Sequence, residues 1–320
     1  MFFGRVLLVW LVGSDTCHLN LLLFSAPSKI LTTLGLGFVA SFIGGCRLLF
    51  HWAPSLSLVK RLYRYLAHVG WTFECPMCGG RFRRLLPGGF DVPVLAEKQV
   101  RGAGVRLNAI CPRCHCWDRE RLVFLYLVRK TDILEAPIRV LHIAPEKRLQ
   151  QILAARPRIT YVSADLNSPL VAIRLDITNM PFRSMWFDVI ICNHVLEHVP
   201  DDRRAMSELL RVLKPHGWAI LQVPISQTLE QTDENPSLPS AEEREQRFGQ
   251  HDHVRLYARD YRDRLQSTGF SVQVYGFEEE FGGAARRRYG LVKGEHVYVC
   301  TRPELPHRSY VGHMRGVSLV

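Results

Sequence analysis

Glycine is missing from the ten residues VLHIAPEKRL, Val140 to Leu149, which read as a buried strand running into a helix. Nucleotides are commonly cradled at such a joint by a glycine-rich turn, so that device is excluded here. His142, Pro145 and Glu146 stand at the joint instead. Long apolar runs are also scarce. Ile30 to Cys46 holds 17 residues without a charge, the lower limit for crossing a bilayer, and Gly35, Gly37, Gly44 and Gly45 weaken it as a helix in water. A cleaved signal peptide fits poorly, because the apolar material lies far in and is interrupted by Asp15 and His18. No internal repeat is present, which excludes solenoids and propellers. Acidic residues are few in one region: residues 61–130 hold 13 Lys/Arg against 5 Asp/Glu, whereas residues 131–320 hold 24 of each. A polyanion or an anionic membrane surface would be met in the N-terminal third.

The 320 residues, 47% hydrophobic and 22% charged, suffice for a globular chain with one large domain and additions. The composition divides it into an apolar extension (1–58) with the candidate membrane segment 30–46, a cysteine-rich module with a connecting helix (59–130), an α/β domain (131–302) and a tail (303–320). Lys60, Arg61 and Arg64 flank the apolar part and would leave the module and the α/β domain in the cytoplasm.

Nine cysteines is an odd count, and five of them fall between Cys75 and Cys116. CPMCGG and CPRCHC are two C-x-x-C knuckles, and two such pairs supply the four soft ligands of a tetrahedral zinc ion. Cys75, Cys78, Cys111 and Cys114 are the expected ligands, with Cys116 or His115 as substitutes. Four protein ligands close the coordination sphere, so the zinc would be structural. Arg81, Arg83, Arg84, Arg101, Arg106 and Arg113 make the module basic enough to grip phosphate, although solvated surface is the plainer reading. Cys17, Cys46, Cys192 and Cys300 read as buried inert thiols.

Trp117 to Lys130 reads as a helix with Leu122, Leu125 and Val128 on its apolar face. Beyond it, strands are expected at IRVLHI, ITYVSA, VAIRLDI, FDVIICN, WAILQVP, FSVQVYG and HVYVCT. Helices are expected at EKRLQQILAA, DDRRAMSELLRVL and ARDYRDRLQSTG. This alternation predicts a doubly wound parallel sheet with its ligand at the carboxyl ends of the strands. Residues 228–250, polar and proline-containing, read as a mobile loop or lid. HVLEH, His194 to His198, matches the inverted zinc-protease pattern H-x-x-E-H. It follows a strand directly and is ended by Pro200, leaving about one helical turn, so a protease is set aside.

The order VLHIAPE, YVSADL, LDITNMPF, FDVIICNHVLEHVPD and LLRVLKPHGWAILQVP resembles the class I S-adenosylmethionine-dependent methyltransferases of the small-molecule type. The resemblance spans about Ile138 to Cys300. It implies a Rossmann-like sheet of seven strands ending in an antiparallel hairpin, with S-adenosylmethionine as cofactor. It places Asp165, with Leu166 beside it, at the ribose hydroxyls, Asp176 at the adenine amino group with Ile177 against the ring, and Asn193 and His194 at the methionine portion. The departure is the first motif, where His142, Ala144 and Glu146 replace the glycines; Glu146 is then the candidate for the methionine ammonium. GQHDHVRLYARDYRDRLQSTGF resembles the segment after the family's lid, which makes His251 and His253, with His194, the candidates for handling the acceptor.

The expected function is methyl transfer to a small-molecule, saccharide or lipid-linked acceptor. The fourth strand ends in CNHV without a D/N-P-P-Y motif, which disfavours exocyclic amines of adenine. Two alternatives remain: a ribosomal RNA methyltransferase binding nucleic acid through its basic ribbon, and a degenerate domain that serves only as a binding module. RRR at Arg286 to Arg288 reads as a solvated turn.

Overall fold

The computed structural model describes residues 67–303 and four short strands before them. Those strands, Leu8–Val12, Cys17–Leu21, Val39–Ile43 and Cys46–His51, pair antiparallel in one sheet. The chain divides into two units, Met1–His68 and Val69–Val320. Within the segment 30–46, Val39–Ile43 is strand and Cys46 opens the next one; its other residues, like 304–320 of the tail, lie outside the described residues. No described helix is long and apolar enough to cross a membrane.

The α/β domain is built on seven strands: β1 (Ile138–Ile143), β2 (Ile159–Asp165), β3 (Ile173–Arg174), β4 (Phe187–Asn193), β5 (Leu213–Gln222), β6 (Ser271–Gly276) and β7 (His296–Thr301). Their order in the sheet is β3-β2-β1-β4-β5-β7-β6. The first five are parallel, and β7 runs antiparallel to both β5 and β6, as the expected hairpin requires. β4 lies at the centre, and all its residues except Asp188 are buried. Such continuous apolar runs are what strands covered on both faces need. The order in which successive strands are added reverses between β1 and β4, and that switch point is where a doubly wound sheet opens a crevice.

The helices are α1 (Asp118–Lys130), α2 (Lys147–Ala154), α3 (Asp202–Val212), α4 (Ala241–Phe248), α5 (Tyr261–Ser267) and α6 (Phe277–Arg288). α3 begins where the Asp201 carboxylate accepts the Arg204 amide at 2.9 Å, and its apolar stripe enters the core through Ala205, Met206, Leu209 and Val212. The loop expected at 228–250 contains α4. Ser240 caps its start by accepting the Glu243 amide, and Gly249 (φ 89°) ends it in the left-handed region. A Cβ at Gly249 would collide with Leu95, so the helix end and the cysteine-rich module meet there. α6 is broken at Gly282 (φ 76°), and Arg286 to Arg288 form its last turn.

The module at 69–117 pairs Val69–Glu74 with Arg81–Phe82 and Leu86–Gly88 with Arg106–Ile110. Its middle, including the short helix Pro93–Glu97, buries Val94, Leu95 and Val100 in an apolar cluster with Phe248 of α4 and Leu256. Arg121 of α1 is fully buried and donates to the carbonyls of Ala109 and Cys116 in the module, and to those of Tyr289 and Gly290 after α6. One guanidinium thereby ties the cysteine-rich module to the far end of the α/β domain.

Candidate active site

A cleft of about 670 Å³ opens at the carboxyl ends of the strands, within the range of small-molecule sites. Ala144, Asp165, Leu166, Asp176, Ile177 and His194 line it. These are six of the eleven residues expected to bind cofactor or handle the acceptor.

Ala144 follows β1 with φ 45°, a left-handed conformation that a non-glycine residue adopts at a cost of about 1–2 kcal/mol. Its amide donates to the Ala164 carbonyl at 2.8 Å, which fixes the turn against the end of β2. The turn that glycine would normally make is therefore kept by alanine. Asp165 closes β2, and its Oδ1 accepts the amides of Asn167 and Ser168, each at 2.7 Å. Asp176 does the same for Thr178, with both the amide and the hydroxyl at 2.8 Å. In each carboxylate Oδ2 has no hydrogen-bond donor among the described residues. Both are turn residues, and both also face the cleft.

His142, Glu146 and Asn193 do not line the cleft but form a network behind the turn. His142 is buried, with Nδ1 2.9 Å from the Tyr161 hydroxyl and Nε2 2.9 Å from Glu146 Oε2. Asn193 Nδ2 donates to Glu146 Oε1 at 3.0 Å, and Asn193 Oδ1 is buried without a partner. Burial pushes the Glu146 carboxyl up, but the hydrogen bond and charge of His142, with help from the Asn193 amide, hold it below its usual value.

His194 ends the strand turn with φ 54°, its amide donating to the Gln222 carbonyl at 2.8 Å. Its Nδ1 lies 3.4 Å from Glu197 Oε1, and its Nε2 has no partner among the described residues. Burial and then the Arg119 guanidinium lower its pKa, which keeps the ring neutral. A loop of the cysteine-rich module reaches this histidine: a Cβ on Gly102 would meet His194 Cε1 at 3.3 Å.

The HDH histidines separate. His251 is exposed and lies outside the cleft lining, with its carbonyl accepting from Arg244 at 2.8 Å. His253 is 1% exposed, and burial pushes it down to about 4. The cleft wall is formed instead by His198 and Asp252, with His198 Nδ1 3.2 Å from Asp252 Oδ2. The sequence pattern does not single out this pair, since His198 stands out only as part of H-x-x-E-H and Asp252 lies between two more conspicuous histidines. The turn Leu196–His198 that carries His198 is a single 3-10 turn, consistent with the little room before Pro200.

In the cysteine-rich module, Cys75, Cys78, Cys111 and Cys114 bring their sulfurs within 4.8 Å of one another, a set able to hold a metal ion. Each knuckle folds back on its first cysteine, the amides of Gly79 (φ 66°) and His115 (φ 60°) donating to the Cys75 and Cys111 carbonyls. Cys116 Sγ lies 3.4 Å from both Cys75 and Cys114, so a fifth sulfur adjoins the set. The first knuckle also touches the α/β domain, where Arg148 of α2 donates to the Met77 carbonyl at 3.0 Å.

Residues 141–221 match a family described as a methyltransferase domain. No curated protein sequence matches the chain. Among solved structures, similarity extends to a [4+2]-cyclase, SpnF (14% identity, 58% of this chain and 83% of that one, TM-score 0.41). It extends also to an S-adenosylmethionine-dependent methyltransferase from Archaeoglobus fulgidus (15%, 56% and 91%, TM-score 0.37). A third is the 1,6-didemethyltoxoflavin-N1-methyltransferase of Burkholderia thailandensis, solved with S-adenosylhomocysteine (12%, 57% and 76%, TM-score 0.32). With the family match lying over β1 to β5 of a 3-2-1-4-5-7-6 sheet, the chain carries a methyltransferase domain.

Proposed function

We propose that the chain methylates a small molecule, saccharide or lipid-linked acceptor bound against His194 and His198, with S-adenosylmethionine seated along the ends of β1 and β2. The observation that carries this reading is the convergence of Asp165, Asp176 and Ala144 on one cleft whose other wall is His194, His198 and Asp252. The donor set fits the cofactor. Asp165 has an oxygen left for the ribose diol, and a carboxylate can accept from both hydroxyls. Asp176 is placed for the adenine amino group, with Ile177 giving the ring an apolar wall. The Glu146 carboxylate stays ionised and keeps lone pairs beyond those used by His142 and Asn193 for the methionine ammonium, with the unpartnered Asn193 Oδ1 beside it.

Bound S-adenosylmethionine supplies an electrophilic methyl group. The chain's own share is to hold the acceptor in line with it, which is most of the task in such a displacement. His194, neutral and lining the cleft with its buried Nε2 unpartnered, is the candidate to accept a proton from an acceptor hydroxyl. The zinc expected at Cys75, Cys78, Cys111 and Cys114 would serve folding alone.

Several of the basic residues that the RNA alternative would use are engaged. Arg106 pairs with Asp118, Arg81 with Glu74, and Arg101 and Arg113 donate to the Gly294 and Cys78 carbonyls. Of these, Arg106 is the one held closely against a largely buried carboxylate, while the carbonyl partners orient Arg101 and Arg113 without offsetting their charge.

Titration calorimetry of the zinc-loaded full chain tests the reading. S-adenosylmethionine should bind, and Asp165→Ala should weaken binding roughly tenfold or more, the effect of removing a charged hydrogen-bond acceptor. No binding at about millimolar cofactor would overturn it.

A further inference from the structure

At the wall of the cleft, methyl transfer leaves unexplained a group of side chains with metal-ligating chemistry. Glu197, His198 and His253 each bring a ligand atom into a set whose members lie within 4.8 Å of one another. Glu197 and His253 are each 1% exposed. Among the described residues, Glu197 Oε2 and both ring nitrogens of His253 lack a well-formed hydrogen bond, although the Phe248 backbone stands near the His253 ring. Each such atom, buried and unsatisfied, costs about 1–3 kcal/mol, and folded proteins rarely keep several together without something to satisfy them. The His253 ring stands edge-on to His198 with centroids 4.6 Å apart, and Asp252 Oδ2 beside His198 adds a further acidic group.

We propose that Glu197, His198 and His253 bind one divalent transition-metal ion. Two imidazoles and one carboxylate form the N/O donor set that zinc and its first-row neighbours take, and three protein ligands leave coordination positions open. His198 and Asp252 line the cleft, so the open side lies toward it and takes an oxygen ligand from water or from a bound small molecule. This is a different site from the one H-x-x-E-H would build. His194 is outside the set, and the third ligand comes from a segment 55 residues further along the chain. The ion stands on these side chains alone; its use at an acceptor oxygen rests on the methyl-transfer reading.

Zinc content of the full chain, loaded with Zn2+, dialysed and measured by plasma mass spectrometry, tests this. Two equivalents per chain are expected, one in the cysteine set and one here. Glu197→Gln and His253→Ala should each retain one, and Cys78→Ser should also retain one. With Co2+ in place of zinc, the thiolate-to-cobalt charge-transfer band should survive Glu197→Gln and be lost in Cys78→Ser. If His253→Ala does not fold, the near-isosteric Glu197→Gln carries the result. One equivalent or none in the unaltered chain, or two retained in Glu197→Gln, overturns the proposal. A failure to bind S-adenosylmethionine would overturn the methyl-transfer reading and leave the metal count standing.

Discussion

His142 Nε2 lies 2.9 Å from Glu146 Oε2, across the joint where β1 becomes α2, and Asn193 from the end of β4 reaches the other oxygen of the same carboxylate. The network fills the space behind a turn that glycines would leave open. It predicts that Glu146→Gln, which keeps the shape and removes the charge, lowers S-adenosylmethionine affinity roughly tenfold. Calorimetry reads this directly, and an unchanged affinity would remove Glu146 from the ammonium site.

Ala144 holds a left-handed backbone at φ 45°. Ala144→Gly should leave the melting temperature equal or higher and cofactor affinity intact, since glycine enters this region without the steric cost. Ala144→Val should lose about 1–2 kcal/mol, because a β-branched residue tolerates it worst. Chemical denaturation of the two variants gives the comparison, and a more stable valine variant would contradict the turn's assignment.

Arg121 has backbone carbonyls for partners among the residues described, and it joins the module to the segment after α6. Arg121→Ala should cost about 3 kcal/mol or more, since it strands several buried acceptors at once. Arg121→Lys should not restore the loss, because one ammonium cannot reproduce the planar fork. Rescue by lysine in a urea titration would show that charge alone matters there.

Asp202 accepts from Arg264 Nε and Nη2, both at 2.7 Å, and from the Tyr257 hydroxyl at 2.6 Å. Burial opposes its ionisation, yet the hydrogen bonds from Arg264 and Tyr257 outweigh it and its pKa is lowered. A depressed carboxylate pKa contributes stability that is present above its unfolded value of about 3.9 and is lost as pH falls through the folded value. Stability should therefore drop on acidification below about pH 4, and Asp202→Asn should flatten that limb while lowering stability at pH 7. An unaltered acid limb in the variant's melting curves would assign the loss to other groups.

Cys78 belongs to the four-sulfur set and Cys116 adjoins it. Cys116→Ser should keep its zinc, whereas Cys78→Ser should lose one equivalent and melt lower, because binding energy at such a site is folding energy. The reverse pattern in metal content would make Cys116 the fourth ligand.

Much of the chain is legible in the sequence where the signal is local. The central strands of the sheet announce themselves as short apolar runs, because covered strands need little else. The two knuckles do so because each C-x-x-C spacing brings its cysteines together within one tight turn. Asp165 and Asp176 sit at strand ends, where chain order alone places them at the crevice. Two features are written less clearly. The strand expected at VAIRLDI shrinks to Ile173–Arg174, since Asp165 and Asp176 draw the flanking residues into turns. The loop expected at 228–250 contains a capped helix, stabilised by Leu95 from a module more than a hundred residues away.

The sequence by itself determined the order of strands and helices, the two cysteine knuckles and the acidic residues at the strand ends, because periodicity and spacing act over a few residues. Only the tertiary structure decided that His198 and Asp252 face the cleft while His251 lies outside it, and that Glu197, His198 and His253 meet. It also decided that Ala144 keeps the turn glycine would make. Those outcomes depend on how distant segments pack, and on the conformation imposed at each joint, which no local pattern encodes.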